Sequence, residues 1–349
     1  MSIFNLKQLA EHLGLSQTTV SRALNGFPEV SEKTRLRVQE AARAFNYRPS
    51  PSAANLATGR AWAIGHVVPL SEHRMINPHF SDFLAGASEV YARCGYDLVL
   101  RAATPEDEMD VYRDFAERRR VDGVVLHGPY VNDTRVSLLQ EIGLPFVVHG
   151  RTNGVEGEGS WDHSWLDVDN RQAFYQATRH LLDQGHRRIA LLNGMEAMNL
   201  AYLRQEGYKQ ALKDGGVALE TDLVTNADMT EPYGFEATQR LLALDTPPTA
   251  HLHASILSAM GGLRALQQAG LEAGRDVAVM TFDDCLSFLD SGNEKDIFLT
   301  AMRSSIFEAG QAVAEMLMRQ IAKPNAGPEQ VLWEADFVAG HSVNKGPFA

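Results

Sequence analysis

The sequence predicts an α/β protein in which a helix-turn-helix domain of three helices precedes two doubly wound lobes with parallel sheets. Residues 5–26 contain two short amphipathic helices joined by a tight turn. From Trp62 onward, short apolar runs alternate with helical patterns, which is typical of parallel sheets covered by helices. Charge also segregates, because residues 1–60 hold eight Lys/Arg against four Asp/Glu, a balance of +4, in a chain whose net charge is −12, which leaves −16 for the remainder.

The first helix is predicted to follow Asn5 and to end at Gly14, because its apolar residues recur at i, i+3, i+4 and i+7. Ser16 caps a second helix, which buries Val20 and Leu24. Four polar side chains remain outside near its N-terminus: Gln17, Thr18, Ser21 and Arg22. Such positions in a recognition helix reach base edges and phosphates in the major groove. An ordinary helical hairpin is the alternative, but the basic balance of this segment favours DNA contact.

A third helix is predicted from Ser31, with Val38, Ala41, Ala42 and Phe45 as its core stripe and Lys33, Arg35 and Arg37 outside. Together these segments resemble the LacI/GalR family of bacterial transcription regulators. The resemblance is carried by runs such as Leu6-Lys7-Gln8-Leu9-Ala10, Thr19-Val20-Ser21-Arg22, Asn46-Tyr47-Arg48-Pro49 and Ala53-Ala54-Asn55-Leu56-Ala57. It implies a homodimer on double-stranded operator DNA, contacted by Leu6, Ser16, Gln17, Thr18, Ser21, Arg22, Asn25, Ser31, Thr34, Ala53, Asn55 and Leu56.

The resemblance also gives residues 49–61 a role as hinge helix and linker, in which Leu56 wedges into the minor groove and kinks the DNA. Few apolar residues and two prolines, Pro49 and Pro51, agree with a segment that cannot hold a helix alone. A plain interdomain linker fits the same residues equally well.

After the linker, strands and helices are predicted to alternate through Ile64–Val68, Phe83–Cys94, Asp97–Leu100, Val111–Arg119, Val121–Leu126, Val136–Ile142, Phe146–Val148, Leu166–Val168, Ala173–Leu182, Ile189–Leu192, Leu200–Leu212, Phe235–Leu244, Ile256–Gln268 and Val277–Phe282. The resemblance makes this a two-lobed, periplasmic-binding-protein-like core that the chain crosses three times, near Gln184, Ser304 and Lys323. The expected organisation is a DNA-binding domain at 1–48, the hinge at 49–61, a first lobe at 62–184 plus 304–322, and a second lobe at 185–303 plus 323–345.

A ligand is expected between the lobes, because ligands of open α/β sheets gather at the carboxyl ends of the strands. Loops after strands of the first lobe supply His73, Asn77, Phe80, His127 and Arg151, although each loop taken singly could be an ordinary turn. By resemblance, Asp169, Asn170, Arg204 and Asp283 match positions where relatives hold an effector or brace its pocket. Trp161 and Trp165 are candidate platforms for a sugar ring, or core residues.

One departure from the family pattern bears on the effector. Many relatives carry Asn-Asp where this chain has Ala254-Ser255. The bidentate contact of that pair with a polyol is lost here, and Ser255 is the polar residue that stands in its place. A larger glycoside therefore fits better than a hexose.

These observations predict an effector-controlled transcriptional regulator, specifically a repressor of carbohydrate genes released by a sugar or glycoside. A regulator that needs a purine or phosphorylated corepressor is one alternative, and a DNA-binding protein with an effector-independent dimerisation domain is another. An enzyme is not expected, because the chain lacks a Gly-x-Ser-x-Gly elbow, a Walker-type loop and a His-Glu-x-x-His set. No cofactor or metal is expected.

Composition points to a cytoplasmic protein without a membrane partner. The two cysteines, Cys94 and Cys285, lie far apart and do not form a disulfide framework. No apolar signal segment begins the chain and no run of about 18 apolar residues follows. A secreted sugar-binding protein would share two lobes but would lack the basic N-terminal domain.

Overall fold

A computed structural model describes residues 5–24, 27–47, 59–69, 78–152, 162–289 and 298–347. The chain divides into two compact units, Met1–Trp62 and Ala63–Ala349. Among the expected DNA contacts, Asn25, Ala53, Asn55 and Leu56 lie outside the described residues.

The N-terminal unit contains three helices: α1 (Leu6–Leu13), α2 (Gln17–Leu24) and α3 (Glu32–Ala44). Helix α1 begins directly after Asn5, as the sequence predicts, and Asn5 and Gln8 form a capping box there. Gly14 ends α1 in the left-handed region at φ 62°, where a glycine has no Cβ penalty. Leu9, Val20 and Val38, one from each helix, meet in a small fully buried core.

The larger unit contains twelve strands within its described residues: β1 (Ala63–Pro69), β2 (Asp97–Ala103), β3 (Gly123–His127), β4 (Phe146–His149), β5 (Ser164–Val168), β6 (Ile189–Asn193), β7 (Val224–Asn226), β8 (Ala250–His253), β9 (Ala278–Asp283), β10 (Thr300–Arg303), β11 (Gln330–Trp333) and β12 (Asp336–Val338). Its helices there are α4 (Pro78–Cys94), α5 (Glu108–Glu117), α6 (Thr134–Glu141), α7 (Asn170–Asp183), α8 (Asn199–Asp214), α9 (Glu231–Leu242), α10 (Ile256–Gln268) and α11 (Ile306–Ala322), with a 3-10 turn at Thr221–Leu223.

Two six-stranded sheets form the two lobes, which confirms the α/β class. The first sheet has the order β11-β5-β4-β3-β1-β2 and the second has the order β12-β10-β9-β8-β6-β7. All pairings are parallel except that of β12 with β10. Buried apolar strands such as β6, in which every residue is buried, agree with sheets that are covered on both faces.

The lobe crossings differ from two of the three expected positions. Helix α7 packs on the second sheet, where Phe174 and Leu181 join a cluster with Leu191 of β6, so the chain enters the second lobe at Asp169 rather than near Gln184. It returns to the first lobe after β10, at Ser304.

The last crossing lies between β11 and β12 rather than near Lys323. Strand β11 pairs with β5 of the first sheet, and β12 pairs with β10 of the second. These two short strands are only two residues apart, and they place one edge strand on each lobe.

Glycines allow the helices to approach closely. The backbone of α4 touches that of α11, because a Cβ on Gly86 would collide with the carbonyl oxygen of Phe307, and one on Gly310 would collide with that of Phe83. Helix α4 thereby holds a fixed position above the first sheet, and its N-terminal turn forms part of the wall of the interlobe cavity. No helix among the described residues is long and apolar enough to span a membrane.

Candidate DNA interface and ligand cleft

Helix α2 exposes the side chains that the sequence assigns to base contact. Gln17, Thr18 and Arg22 are exposed, whereas Ser21 is half-buried. Val20 and Ala23 occupy the opposite face and are buried in the three-helix core. The helix therefore presents amide, hydroxyl and guanidinium groups together on one surface, which is the chemistry that reads bases in the major groove.

Three other expected DNA contacts lie at the N-terminal ends of helices. Ser16 accepts a hydrogen bond from Thr19 N at 3.0 Å and so caps α2. Ser31 caps α3 and lies 2.9 Å from the Thr34 hydroxyl, Oγ to Oγ1. Exposed helix N-termini favour phosphate oxygens. Ser16, Ser31 and Thr34 are therefore better placed to contact the DNA phosphate backbone than to read bases. Leu6 is half-buried against the core.

Two arginines on the predicted outer face of α3 stabilise the fold instead. Arg37 Nη2 donates to the Leu13 carbonyl oxygen at 2.8 Å, and Arg35 Nη2 donates to that of Phe27 at 3.1 Å. These hydrogen bonds tie α3 to the end of α1 and to the loop before α3. Hydrophobic periodicity alone does not predict such contacts.

Between the lobes of the larger unit lies a cavity of about 400 Å³. This volume is within the usual range for small-molecule sites. Five expected effector residues line it, namely Phe80, His127, Arg151, Asn170 and Arg204. Asp169, Asp283, Trp165 and Ser255 do not line it, and His73, Asn77 and Trp161 lie outside the described residues.

The wall on the first lobe is built from aromatic and imidazole rings. His127 and His149 end the neighbouring strands β3 and β4 and are register partners. Phe80 and Phe83 of α4 meet His127 edge-on, at centroid distances of 5.1 and 4.8 Å. Burial lowers the pKa of His149 to about 4 and that of His127 well below its ordinary value, so both rings are neutral at pH 7.

Arg204 forms the centre of the wall on the second lobe. Its guanidinium carbon lies 4.5 Å from the ring centroid of Phe282 and 5.0 Å from that of Phe174. Its Nε donates to Asn170 Oδ1 at 2.7 Å and its Nη1 donates to the Ala254 carbonyl oxygen. Burial lowers the pKa of Arg204 to about 10, and the nearby Asp284 and Asp167 oppose that shift. The side chain is therefore a fixed, desolvated donor.

A second charged group of the cavity is Asp167 of β5, which lies two residues before the expected Asp169. Asp167 lines the cavity and accepts a hydrogen bond from Arg151 Nε at 2.8 Å. Burial raises the pKa of Asp167, and Arg151 opposes that shift. Asp169 instead follows the strand and caps α7 by accepting from Gln172 N at 3.1 Å, so its role is structural.

The same correction applies at the end of β9. Asp283 is buried and accepts from Arg303 Nε at 3.0 Å and from Cys285 N at 2.9 Å. The next carboxylate, Asp284, lines the cavity and lies 2.8 Å from His79 Nε2 of the other lobe. The alternation that turns Asp283 inward leaves Asp284 facing the cavity.

Trp165 and Ser255 also have structural roles. The Arg151 guanidinium lies 5.3 Å from the centroid of the buried Trp165 ring, so that ring is not a platform for a sugar. Ser255 caps α10 by accepting from Leu257 N at 3.2 Å. The departure Ala254-Ser255 still contributes to the cleft, because the Ala254 carbonyl oxygen holds Arg204.

Hydrogen bonds join the lobes on two sides of the cavity. On one side Val131 N donates to the Ala197 carbonyl oxygen at 3.1 Å, and Asn199 N donates to that of Pro129 at 3.0 Å. On the other side Asp82 of α4 accepts from the N and Oγ of Ser287, at 2.6 and 2.7 Å. These contacts hold the two lobes together on both sides of the cavity.

Comparisons with known proteins identify both parts of the chain. Residues 5–50 match the family model "Bacterial regulatory proteins, lacI family", and residues 61–341 match "Periplasmic binding proteins and sugar binding domain of LacI family". The HTH-type transcriptional regulator AglR of Rhizobium meliloti (strain 1021) is 43% identical over 343 residues, which cover 98% of this chain and 95% of AglR. RafR of Escherichia coli is 32% identical over 344 residues, 99% of this chain and 100% of RafR.

Solved structures share the whole architecture. A complex of the transcriptional regulator CelR with cellobiose has a TM-score of 0.71 at 27% identity and covers 97% of this chain and 99% of its own. The lac repressor dimer bound to operator has a TM-score of 0.82, with 98% and 99% covered; at 23% identity it supports the fold alone. This chain belongs to the LacI family of bacterial regulatory proteins, and it is a DNA-binding transcriptional regulator with a core of the sugar-binding type, not an enzyme.

Proposed function

We propose that the protein is a repressor whose affinity for operator DNA is lowered by a neutral saccharide, a disaccharide or larger glycoside, bound between the lobes. The observation that carries this proposal is the combination of rings and fixed charged groups around one cavity. Aromatic and imidazole rings such as Phe80 and His149 come from the first lobe, and charged groups come from both lobes, Asp167 from the first and Arg204 from the second. A sugar presents both an apolar C–H face and a rim of hydroxyls, so it complements both kinds of group.

The charge balance of the cleft favours a neutral ligand over a phosphorylated one. Arg151 is paired with Asp167, and Arg135 is paired with Asp133 and Glu108. The guanidinium of Arg204 is instead hydrogen-bonded to Asn170 and to the Ala254 carbonyl oxygen, and the described lining holds four carboxylates against three arginines. A phosphate group requires cations that are not already neutralised by carboxylates. Hydroxyl groups, in contrast, donate to carboxylates and accept from guanidinium groups without adding charge.

One relative supports a saccharide of more than one ring. A structure that is similar to this chain at a TM-score of 0.71 is a complex of CelR with cellobiose. The cavity of about 400 Å³ leaves room for a ligand of that size.

Coupling to DNA follows from closure in a homodimer. A ligand that contacts both walls binds the closed arrangement better than the open one, and a shift of populations needs such a difference of several kcal/mol. Two-fold symmetry doubles the DNA site, because one recognition helix covers only a few base pairs. The lac repressor dimer on its operator is the architectural precedent.

The experiment begins by selecting a high-affinity site from random double-stranded DNA with the full-length protein. The dissociation constant for that site is then measured with and without glucose, cellobiose, maltose and raffinose, and with glucose 6-phosphate and hypoxanthine. We expect a di- or trisaccharide to weaken binding at least tenfold. Tighter binding with hypoxanthine or the sugar phosphate would identify a corepressor instead, and no response to any compound would favour a core that serves dimerisation alone.

A further inference from the structure

A buried chain of three polar groups leads from α4 to the wall of the cleft. The Tyr91 hydroxyl lies 3.1 Å from His66 Nε2, and His66 Nδ1 lies 2.8 Å from His127 Nε2. Tyr91 is 1% exposed and His66 is fully buried, whereas His127 lines the cavity. Only the last member of the chain can therefore reach a ligand.

The two hydrogen bonds among Tyr91, His66 and His127 must point in the same direction along the chain of groups. Burial lowers the pKa of His66 to about 3, and burial together with His66 lowers the pKa of His127 well below its ordinary value. Each ring is thus neutral at pH 7, with one N–H donor and one acceptor nitrogen. Because each hydrogen bond uses one donor, the direction of the first bond fixes the direction of the second and the tautomer of His127.

Tyr91 decides between the two possible directions. Among the described residues, His66 is the hydrogen-bond partner of its hydroxyl group. If His66 donated to Tyr91, the phenolic proton would be buried without an acceptor, which costs about 1–3 kcal/mol. The hydroxyl therefore donates to His66 Nε2, and His66 Nδ1–H donates to His127 Nε2.

We propose that Tyr91 and His66 hold His127 in the tautomer that carries its proton on Nδ1, so that His127 is a fixed hydrogen-bond donor toward the ligand. The edges of Phe80 and Phe83 restrain the plane of the His127 ring. With the effector proposed above, the acceptor is an oxygen of a saccharide, and this part of the inference rests on the proposed function. Tyr91 is a positioning residue that determines specificity without touching the ligand.

The test is the tautomer itself, measured without ligand. Long-range ¹H–¹⁵N correlation spectra of full-length protein labelled with ¹⁵N-histidine distinguish a protonated ring nitrogen from an acceptor nitrogen, and His127→Gln assigns the signals. We expect protonated Nδ1 and acceptor Nε2 for His127 at pH 7. Protonated Nε2 in the wild-type protein would overturn the proposal.

A pair of variants tests the role of Tyr91. Tyr91→Phe removes the hydroxyl and should convert His127 to the other tautomer or to a mixture. Tyr208→Phe is the matched control, because Tyr208 is equally buried but donates to the Ile189 carbonyl oxygen in the second lobe. An unchanged tautomer in Tyr91→Phe, or an equal change in Tyr208→Phe, would contradict the inference.

A different result would show that the proposed function is wrong while the inference about the tautomer holds. In that case the free protein has the expected tautomer, but cellobiose, maltose and raffinose do not shift the Nδ1 proton signal of His127.

Discussion

Two adjacent carboxylates at the end of β9 have different roles in the second lobe. The Asp283 side chain is 3% exposed and pairs with Arg303, whereas that of Asp284 is 18% exposed and pairs with His79 across the cleft. One stabilises the sheet edge, and the other faces the cavity.

Asp284→Ala should weaken saccharide binding about tenfold to hundredfold, because a hydrogen bond to a charged group contributes about 1.5–3 kcal/mol. The free energy of unfolding should fall less than in Asp283→Ala, because Asp284 and its partner His79 are both partly exposed to water. Asp283→Ala is the matched control and should lower the free energy of unfolding by about 1–3 kcal/mol, because it leaves Arg303 without its buried partner. Calorimetric titration and urea unfolding of both variants check this contrast, and the reverse pattern would contradict the assignment.

Gln17→Ala should weaken binding to the selected operator about tenfold to hundredfold, since a bidentate base contact is worth about 1–3 kcal/mol. Binding to random DNA, which depends on phosphate contacts, should stay nearly constant. Gln39→Ala on α3 serves as the control because Gln39 lies outside α2. Equal losses on operator and random DNA would argue against base reading by Gln17.

At the level of residues, sequence reasoning found loops that border the interlobe cavity, but not always the side chain that lines it. Arg204 and Asn170 were predicted and lie in the cleft. Asp169 and Asp283 each have a carboxylate within two positions that faces the cavity in their place. Which of two neighbouring side chains turns inward depends on strand register and helix capping, and spacing alone does not contain that information.

Among the elements, α4 and α11 depend on an unusually close backbone contact. Gly86→Ala should lower the free energy of unfolding by at least about 1–3 kcal/mol, because the added methyl group collides with the Phe307 carbonyl oxygen and the helices must separate. Gly327→Ala meets no atom within 4 Å and is the control. Thermal unfolding of both variants provides the measurement, and equal midpoints would show that the helices yield without cost.

The order of elements was predictable, but their allocation to lobes was not. Alternating apolar runs indicated parallel sheets covered by helices, and both sheets have that arrangement. Helix α7 follows β5 directly, and its apolar face could cover either sheet. Its position became clear only from Phe174 and Leu181, which pack in the second lobe.

Over the whole molecule, histidines whose pKa is lowered by burial make stability depend on pH. Burial lowers the pKa of His66 to about 3 and of His149 and His251 to about 4, and it lowers those of His127 and His253 well below 6.5. Above pH 6.5 the rings are neutral in both states, so pH has no effect through them. Below 6.5 the unfolded chain takes up protons that the folded chain excludes.

The midpoint of thermal unfolding should therefore be constant between pH 8 and 7 and should fall steadily from pH 6.5 to 5. Each such histidine contributes up to about 1.4 kcal/mol per pH unit in that interval. Scanning calorimetry at fixed ionic strength measures the profile. A midpoint that stays constant down to pH 5 would show that these rings are not buried in neutral form.

Thermal unfolding of the full-length protein with a panel of saccharides, sugar phosphates and purines tests the central claim most directly, since a ligand selective for the folded state raises the melting temperature. We predict that a di- or trisaccharide raises it for the wild-type protein and, at the same concentration, raises it less for Asp284→Ala. Stabilisation by a purine or a sugar phosphate alone, or an equal saccharide response in Asp284→Ala, would contradict a neutral saccharide bound in the interlobe cleft.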